Sequence, residues 1–114
     1  MRYYSWLVDS GCTNHMTSDQ VLYRELDRSQ VSNVRIGNGA HVAIKGKGTI
    51  AIESHTGTKL IYDVLYVPNI DQNYLSVGQL VEKGLKVIFK NKKCLVKDNN
   101  NNDAFKIKMR SKSF

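Results

Sequence analysis

The sequence predicts a mainly β fold, a small closed barrel with one short helix. Three observations carry that expectation. Apolar residues recur mostly at every second position, the period of a strand with one buried face. Asn38-Gly39 falls between two alternating runs, and both residue types tolerate the positive φ of a tight hairpin turn. Helical periodicity is thin, with one dependable stretch.

Taken in order, Trp6-Leu7-Val8 is a short apolar strand running into Asp9-Ser10-Gly11. Thr17–Leu26 offers a short helical turn, with Ser18 as its cap. Val34-Arg35-Ile36 alternates, stops at Gly37-Asn38-Gly39, and resumes as Val42-Ala43-Ile44. Gly46 and Gly48 punctuate the chain again before the strand Ile50-Ala51-Ile52, and Thr56-Gly57 marks a further turn. Leu60–Val67 is the longest strand candidate, closed by Pro68, and its near-continuous apolar character predicts burial on both faces. Leu75–Lys83 fits two helical turns stopped by Gly84. Leu85–Phe89 reads as a strand, and Cys94–Val96 with Ala104–Met109 as a hairpin around the polar tract Asn99–Asn102.

The 114 residues amount to one domain, with a core at about 5–98, a basic C-terminal hairpin at 94–109 and a frayed tail at 111–114. A chain of this length buries one core but cannot wall a cleft on two sides. No apolar stretch is long enough to cross a bilayer. Met1–Val8 does not read as a signal peptide, since Asp9 ends its apolar run. Two cysteines without framework spacing predict reduced thiols. The net charge of +7 lies entirely in residues 81–114, where ten basic groups face three acidic ones. Basic strands can steer a chain toward nucleic acid, yet no aromatic residues interleave with these lysines to stack on bases. A solvated face is the simpler reading, and nucleic acid is not expected as a partner of this domain alone.

Asp9-Ser10-Gly11 is the constellation with chemical potential. An Asp at the end of an apolar strand is presented on a tight turn. The hydroxyl at 10 can bond neighbouring backbone and hold the loop, and the glycine allows close backbone approach. Alone the tripeptide is ordinary turn chemistry. The glycine-punctuated hairpin at Ile36–Val42 and the step Ser76-Val77-Gly78 before the helix give it company.

With these residues in view, Trp6-Leu7-Val8-Asp9-Ser10-Gly11-Cys12-Thr13-Asn14-His15-Met16 resembles the opening of the aspartic protease of copia-type LTR retrotransposon Gag-Pol polyproteins, plant elements closest. These are relatives of the retropepsins. Val34–Gly39, Gly46–Ile50, Asp63–Pro68 and Asn73–Leu80 continue the resemblance in register, and Gly84, Val87, Phe89 and Cys94 carry it toward the C-terminus. It implies a retropepsin-like acid protease fold forming half of a dimeric pepsin-type enzyme. Asp9 would be the catalytic aspartate, one per chain, with Ser10 and Gly11 completing the motif. It also implies a homodimer cleaving its own polyprotein with a water activated by the Asp pair, without metal, cofactor or membrane, in the cytoplasm within virus-like particles. Ile36–Val42 would be the flap, with the Gly46–Gly48 turn as the alternative tip. Cys12, Ile36, Gly37, Asn38, Gly39, Val77 and Gly78 would then contact the substrate.

Rival readings share these residues. A zinc site on Cys12-x-x-His15, with Cys94, His41 or His55, lacks four well-spaced ligands. A Cys12 nucleophile with His15 as base places both partners on one tight loop, where that geometry is seldom reached. The alternative from another class is a catalytically inactive or domesticated retropepsin-like module that dimerises or associates with nucleic acid.

Overall fold

A computed structural model describes residues 6–9, 12–35, 39–54, 57–90, 93–100 and 103–113, with backbone alone for 9, 53, 54 and 103–113. The strands are β1 (Trp6–Asp9), β2 (Met16–Thr17), β3 (Tyr23–Asp27), β4 (Ser32–Arg35), β5 (His41–Ile44), β6 (Gly46–Ser54), β7 (Gly57–Tyr66), β8 (Asn73–Ser76), β9 (Lys86–Lys90), β10 (Lys93–Lys97) and β11 (Asp103–Ser113). One helix, α1 (Val77–Glu82), follows β8 directly. The mainly β expectation holds.

Nine strands form one sheet in the order β3-β6-β7-β2-β8-β1-β11-β10-β9, and β4 with β5 forms a separate two-stranded sheet. A flat sheet of nine strands would be roughly 38 Å wide and ~10 Å thick. The molecule instead measures 35 × 29 × 28 Å, so the sheet curls around its own core. That core joins Trp6 and Val8 of β1, Ile50 and Ile52 of β6, Ile61 and Val64 of β7, Leu75 of β8, Leu80 of α1, and Cys94 and Val96 of β10. Each such side chain taken from water contributes about 1.5–3 kcal/mol. Among the described residues, no ladder joins the edge strands β3 and β9.

The centre of the sheet positions the site. β1 runs parallel to β8 on one side and to β11 on the other, and Trp6, Leu7 and Val8 are all buried, as a strand covered on both faces requires. β2 lies beyond β8, antiparallel to it and parallel to β7. The chain therefore leaves β1 at Asp9, crosses over the C-terminal end of β8, and descends on its far side.

Several elements differ from the sequence expectation for physical reasons. The turn expected over Thr17–Leu26 is a single 3-10 turn, Gln20–Leu22, capped by Asp19 rather than Ser18, with Asp19 Oδ1 accepting from Val21 N–H. Tyr23–Asp27 is a strand because it pairs with β6, and the Tyr23 hydroxyl donates to the Val64 carbonyl at 3.0 Å. β2 and β8 were not anticipated as strands. The first is two residues long, and the second overlaps the run read as helix at Leu75 and Ser76, which tertiary pairing turns into strand.

Gly46 and Gly48 do not make a turn; both lie inside β6. A Cβ on Gly48 would collide with the Glu25 carbonyl oxygen, and one on Gly46 would sit 2.8 Å from Leu26 Cδ1. The glycines are there so that β3 can pack against β6, which removes Gly46–Gly48 as a flap tip. β7 is buried on both faces only near its end, at Val64 and Leu65, whereas Leu60 and Tyr62 are exposed. The helix begins two residues later than expected because Ser76 caps it, Oγ accepting from Gln79 N–H at 3.1 Å. It stops as expected at Gly84, whose φ of +84° is a left-handed cap. Leu85 N–H reaches the Leu80 carbonyl and Gly84 N–H that of Val81, the paired bonds of a Schellman ending. The C-terminal hairpin is present, and β11 continues through Ser113 with Asp9 opposite Ser113. Residues 111–113 are thus strand rather than frayed tail.

Candidate active site around Asp9

Asp9 ends the central strand, its backbone in register with Ser76 of β8 and Ser113 of β11. Ser10 and Gly11, predicted to complete the motif, lie outside the described residues, as do Ile36, Gly37 and Asn38 of the expected flap. From Cys12 onward the crossing over β8 is tied down by side chains of β8 and α1.

Ser76 is the hub. It is fully buried. Its hydroxyl donates to the Cys12 carbonyl at 2.7 Å while accepting from Gln79 N–H, and its backbone N–H donates to Nδ1 of His15 at 2.9 Å. The hydroxyl expected to brace this loop was Ser10; Ser76 supplies such a bond from the next strand. His15 is 2% exposed, and burial holds its imidazole down at about 4 against the opposing pull of the Asp63 carboxylate. The ring is therefore neutral at pH 7, with Nδ1 as acceptor. It is a packing histidine, and its Nδ1 is committed to Ser76 rather than to a metal or to the Cys12 thiol.

Gln79 adds a second tie. Its Oε1 accepts from His15 N–H at 3.0 Å, and its Nε2 donates to the carbonyls of Asp63 and Tyr62 at 2.9 and 3.3 Å. Those carbonyls belong to an irregular step in β7. Gly48 pairs with Val64 and Ile50 with Ile61, so Tyr62 and Asp63 together oppose Thr49. Asp63 occupies the left-handed region at φ +59°, one of the few non-glycine types that tolerates it. Its carboxylate pairs with Lys83 Nζ at 3.1 Å.

Among the predicted substrate contacts, Cys12 is half-buried, its thiol donating to the Asn14 carbonyl at 2.8 Å. It packs on a second apolar cluster of Met16, Ile44, Leu65, Val67 and Ile70, which also receives Val34 of β4 and Val42 of β5. The β4–β5 hairpin therefore shares packing with the loop that follows Asp9. Gly39, near its turn, has φ +85° and open space around it. Val77 packs inward on the main core and Gly78 is exposed at the start of α1. Among the described residues no group of three or more His, Cys, Asp or Glu is placed to hold a metal, and no helix is long and apolar enough to cross a membrane. The sequence reading gave neither Gln79 nor Asp63 a role of its own, placing them only within the matching blocks Asn73–Leu80 and Asp63–Pro68. A lone acid inside an apolar strand was the available signal.

A β-sheet curled around its own core, with an aspartate at the end of an interior strand and a following loop anchored on the next strand and helix, defines a small mainly β domain. Residues 6–85 match the family described as "Pol polyprotein, beta-barrel domain", and the chain belongs to that family. It is 38% identical over 72 residues to a putative transposon Ty5-1 protein of Saccharomyces cerevisiae, covering 63% of this chain and 47% of that one. It is 33% identical over 101 residues to the retrovirus-related Pol polyprotein from transposon RE1 of Arabidopsis thaliana, covering 84% of this chain and 7% of that one. With the corresponding protein from transposon TNT 1-94 of Nicotiana tabacum it shares 30% over 89 residues, 77% of this chain and 7% of the other. The chain thus spans about half of the first relative and a small fraction of the polyproteins.

Proposed function

We propose that this domain is one half of an aspartic endopeptidase, completed by a second copy, that cleaves the Gag-Pol polyprotein of a copia-type retrotransposon. The observation that carries the reading is the position of Asp9. It ends the central strand, paired in parallel on both sides, where the connections from β1 and β8 diverge to β2 and α1. The loop that follows is held in place, and a hairpin packs on it. Membership in a family named for Pol polyproteins supports the same reading.

The chemistry follows from two carboxylates at close range. Two Asp9 side chains across a twofold axis cannot both ionise, so they share one proton and titrate as a pair. The ionised member takes a proton from a water, which attacks the scissile carbonyl carbon, while the protonated member donates to the carbonyl oxygen. Collapse of the tetrahedral species protonates the amine and breaks the C–N bond, with water as the only reagent consumed. Substrate would lie extended beneath the β4–β5 hairpin, bound by main-chain hydrogen bonds.

The test is incubation of the purified chain with its precursor polyprotein beside an Asp9→Asn control, with oligomeric state followed by sedimentation. Cleavage by a dimer that the control abolishes is expected. Processing that survives in the control overturns the mechanism, and a chain that stays monomeric and inert at high concentration indicates a non-catalytic module.

A further inference from the structure

In the loop after Asp9, the described residues Cys12–His15 precede β2 and belong to no strand. Their placement therefore depends on the groups that meet them, and one of these is a side chain with both hydrogen-bonding ends in use. We infer that Gln79 is a positioning residue for the Asp9 loop, locking it to the irregular step of β7 through a single amide.

The argument begins with backbone groups that need partners. The Tyr62–Asp63 step is opposed by Thr49 alone, Tyr62 is exposed while Asp63 is half-buried, and a half-buried carbonyl is costly to leave without a partner. Gln79 Nε2 serves both carbonyls, and with the nitrogen fixed there Oε1 is turned toward His15 N–H. The orientation of the amide is thereby determined from both ends, and an amide meets both demands where an ionised carboxylate does not, because one end must donate while the other accepts. Helix α1 holds Gln79 at the correct height. Ser76 caps its start, and Lys83 at its end pairs with Asp63, so the helix is pinned to the same residue whose carbonyl Gln79 reads. His15 is bonded at two points, its N–H by Gln79 and its Nδ1 by Ser76. Cys12, three residues upstream, is held by the same serine. The result is a braced segment that begins at Cys12, three residues after Asp9.

The inference rests on the protease reading for its catalytic consequence, but not for its structural one. Two variants of the whole chain separate the roles of Gln79. Gln79→Leu keeps the approximate shape and removes both bonds. Gln79→Glu keeps the acceptor for His15 N–H and loses the donor until it is protonated. With polyprotein-derived peptide as substrate, Gln79→Leu is expected to lower kcat by about tenfold or more while KM changes little, because small misplacement of catalytic groups weighs on the chemical step. The activity of Gln79→Glu relative to wild type, taken pH by pH, is expected to rise as the pH falls and the carboxyl regains a proton. Hydrogen exchange at the His15 amide is expected to quicken in Gln79→Leu while β1 and β8 stay protected. A folded Gln79→Leu with wild-type kcat, or an unchanged His15 exchange rate, overturns the inference. If wild type and Asp9→Asn are equally inert, the protease reading fails, and the His15 exchange rate alone decides whether Gln79 holds the loop.

Discussion

Ser76 N–H donates to Nδ1 of His15 across 2.9 Å, and the bond exists only while the ring is neutral. Burial holds the His15 imidazole at about 4, against an ordinary value of 6.5. The unfolded chain therefore binds a proton between those values that the folded chain refuses, and stability rises with pH across that window. It is fully present above about pH 6.5 and falls toward pH 4, by at most ~1.4 kcal/mol per pH unit from this group. Urea denaturation of wild type and His15→Gln at several pH values measures the difference. The wild type is expected to carry the steeper loss in this window, and parallel curves would contradict the assignment.

Replacing the hub hydroxyl isolates a different contribution. Ser76→Ala removes the cap on α1 and leaves the Cys12 carbonyl without its serine partner. A lost cap costs about 0.5–2 kcal/mol, and the lost serine bond to the Cys12 carbonyl adds about 0.5–1.5 kcal/mol. The denaturation midpoint is expected to fall accordingly. Trp6, the single tryptophan, lies in β1 beside the site and supplies the fluorescence readout.

Gly48 is a steric test of the β3–β6 crossing. With a Cβ driven against the Glu25 carbonyl, Gly48→Ala must separate the strands, and overpacking of this kind costs about 1–3 kcal/mol. Gly78→Ala is the matched control, since a Cβ there meets its nearest atom, Ser76 Oγ, at 3.9 Å. Comparable thermal stability of the two variants would show that the close approach is not needed.

The thiols are expected to differ in reactivity. Cys94 is buried in the core, which pushes its thiol up to about 11, so little thiolate forms at pH 8 and reagent access is poor. Cys12 is only half-buried. Alkylation under native conditions, read by mass spectrometry, is expected to label Cys12 well before Cys94. Equal rates would mean that β10 opens as readily as the loop.

Much of this architecture was legible from local pattern. Alternation marked the arms of β4 and β5, the stretch Lys86–Phe89 of β9, and the β10–β11 hairpin, because strand period and turn chemistry are properties of neighbouring residues. Gly84 marked the end of α1 for the same reason. β3 and β8 were not legible, since Tyr23–Asp27 and Asn73–Ser76 become strands only through partners distant in sequence. Nor was the role of the two glycines in β6, whose requirement comes from Glu25 and Leu26 of another strand.

The mainly β class, and Asp9 as the residue to watch, were read from the sequence alone. Period and motif require no knowledge of what lies nearby in space. What holds the loop after Asp9 was decided only by the tertiary structure. Ser76 and Gln79 lie more than sixty residues along the chain from the Cys12 and His15 groups they bond, and they meet them because the chain crosses the end of β8 to form β2. Hydrogen bonds act over about 3 Å, so their partners are chosen by the fold and not by spacing along the chain.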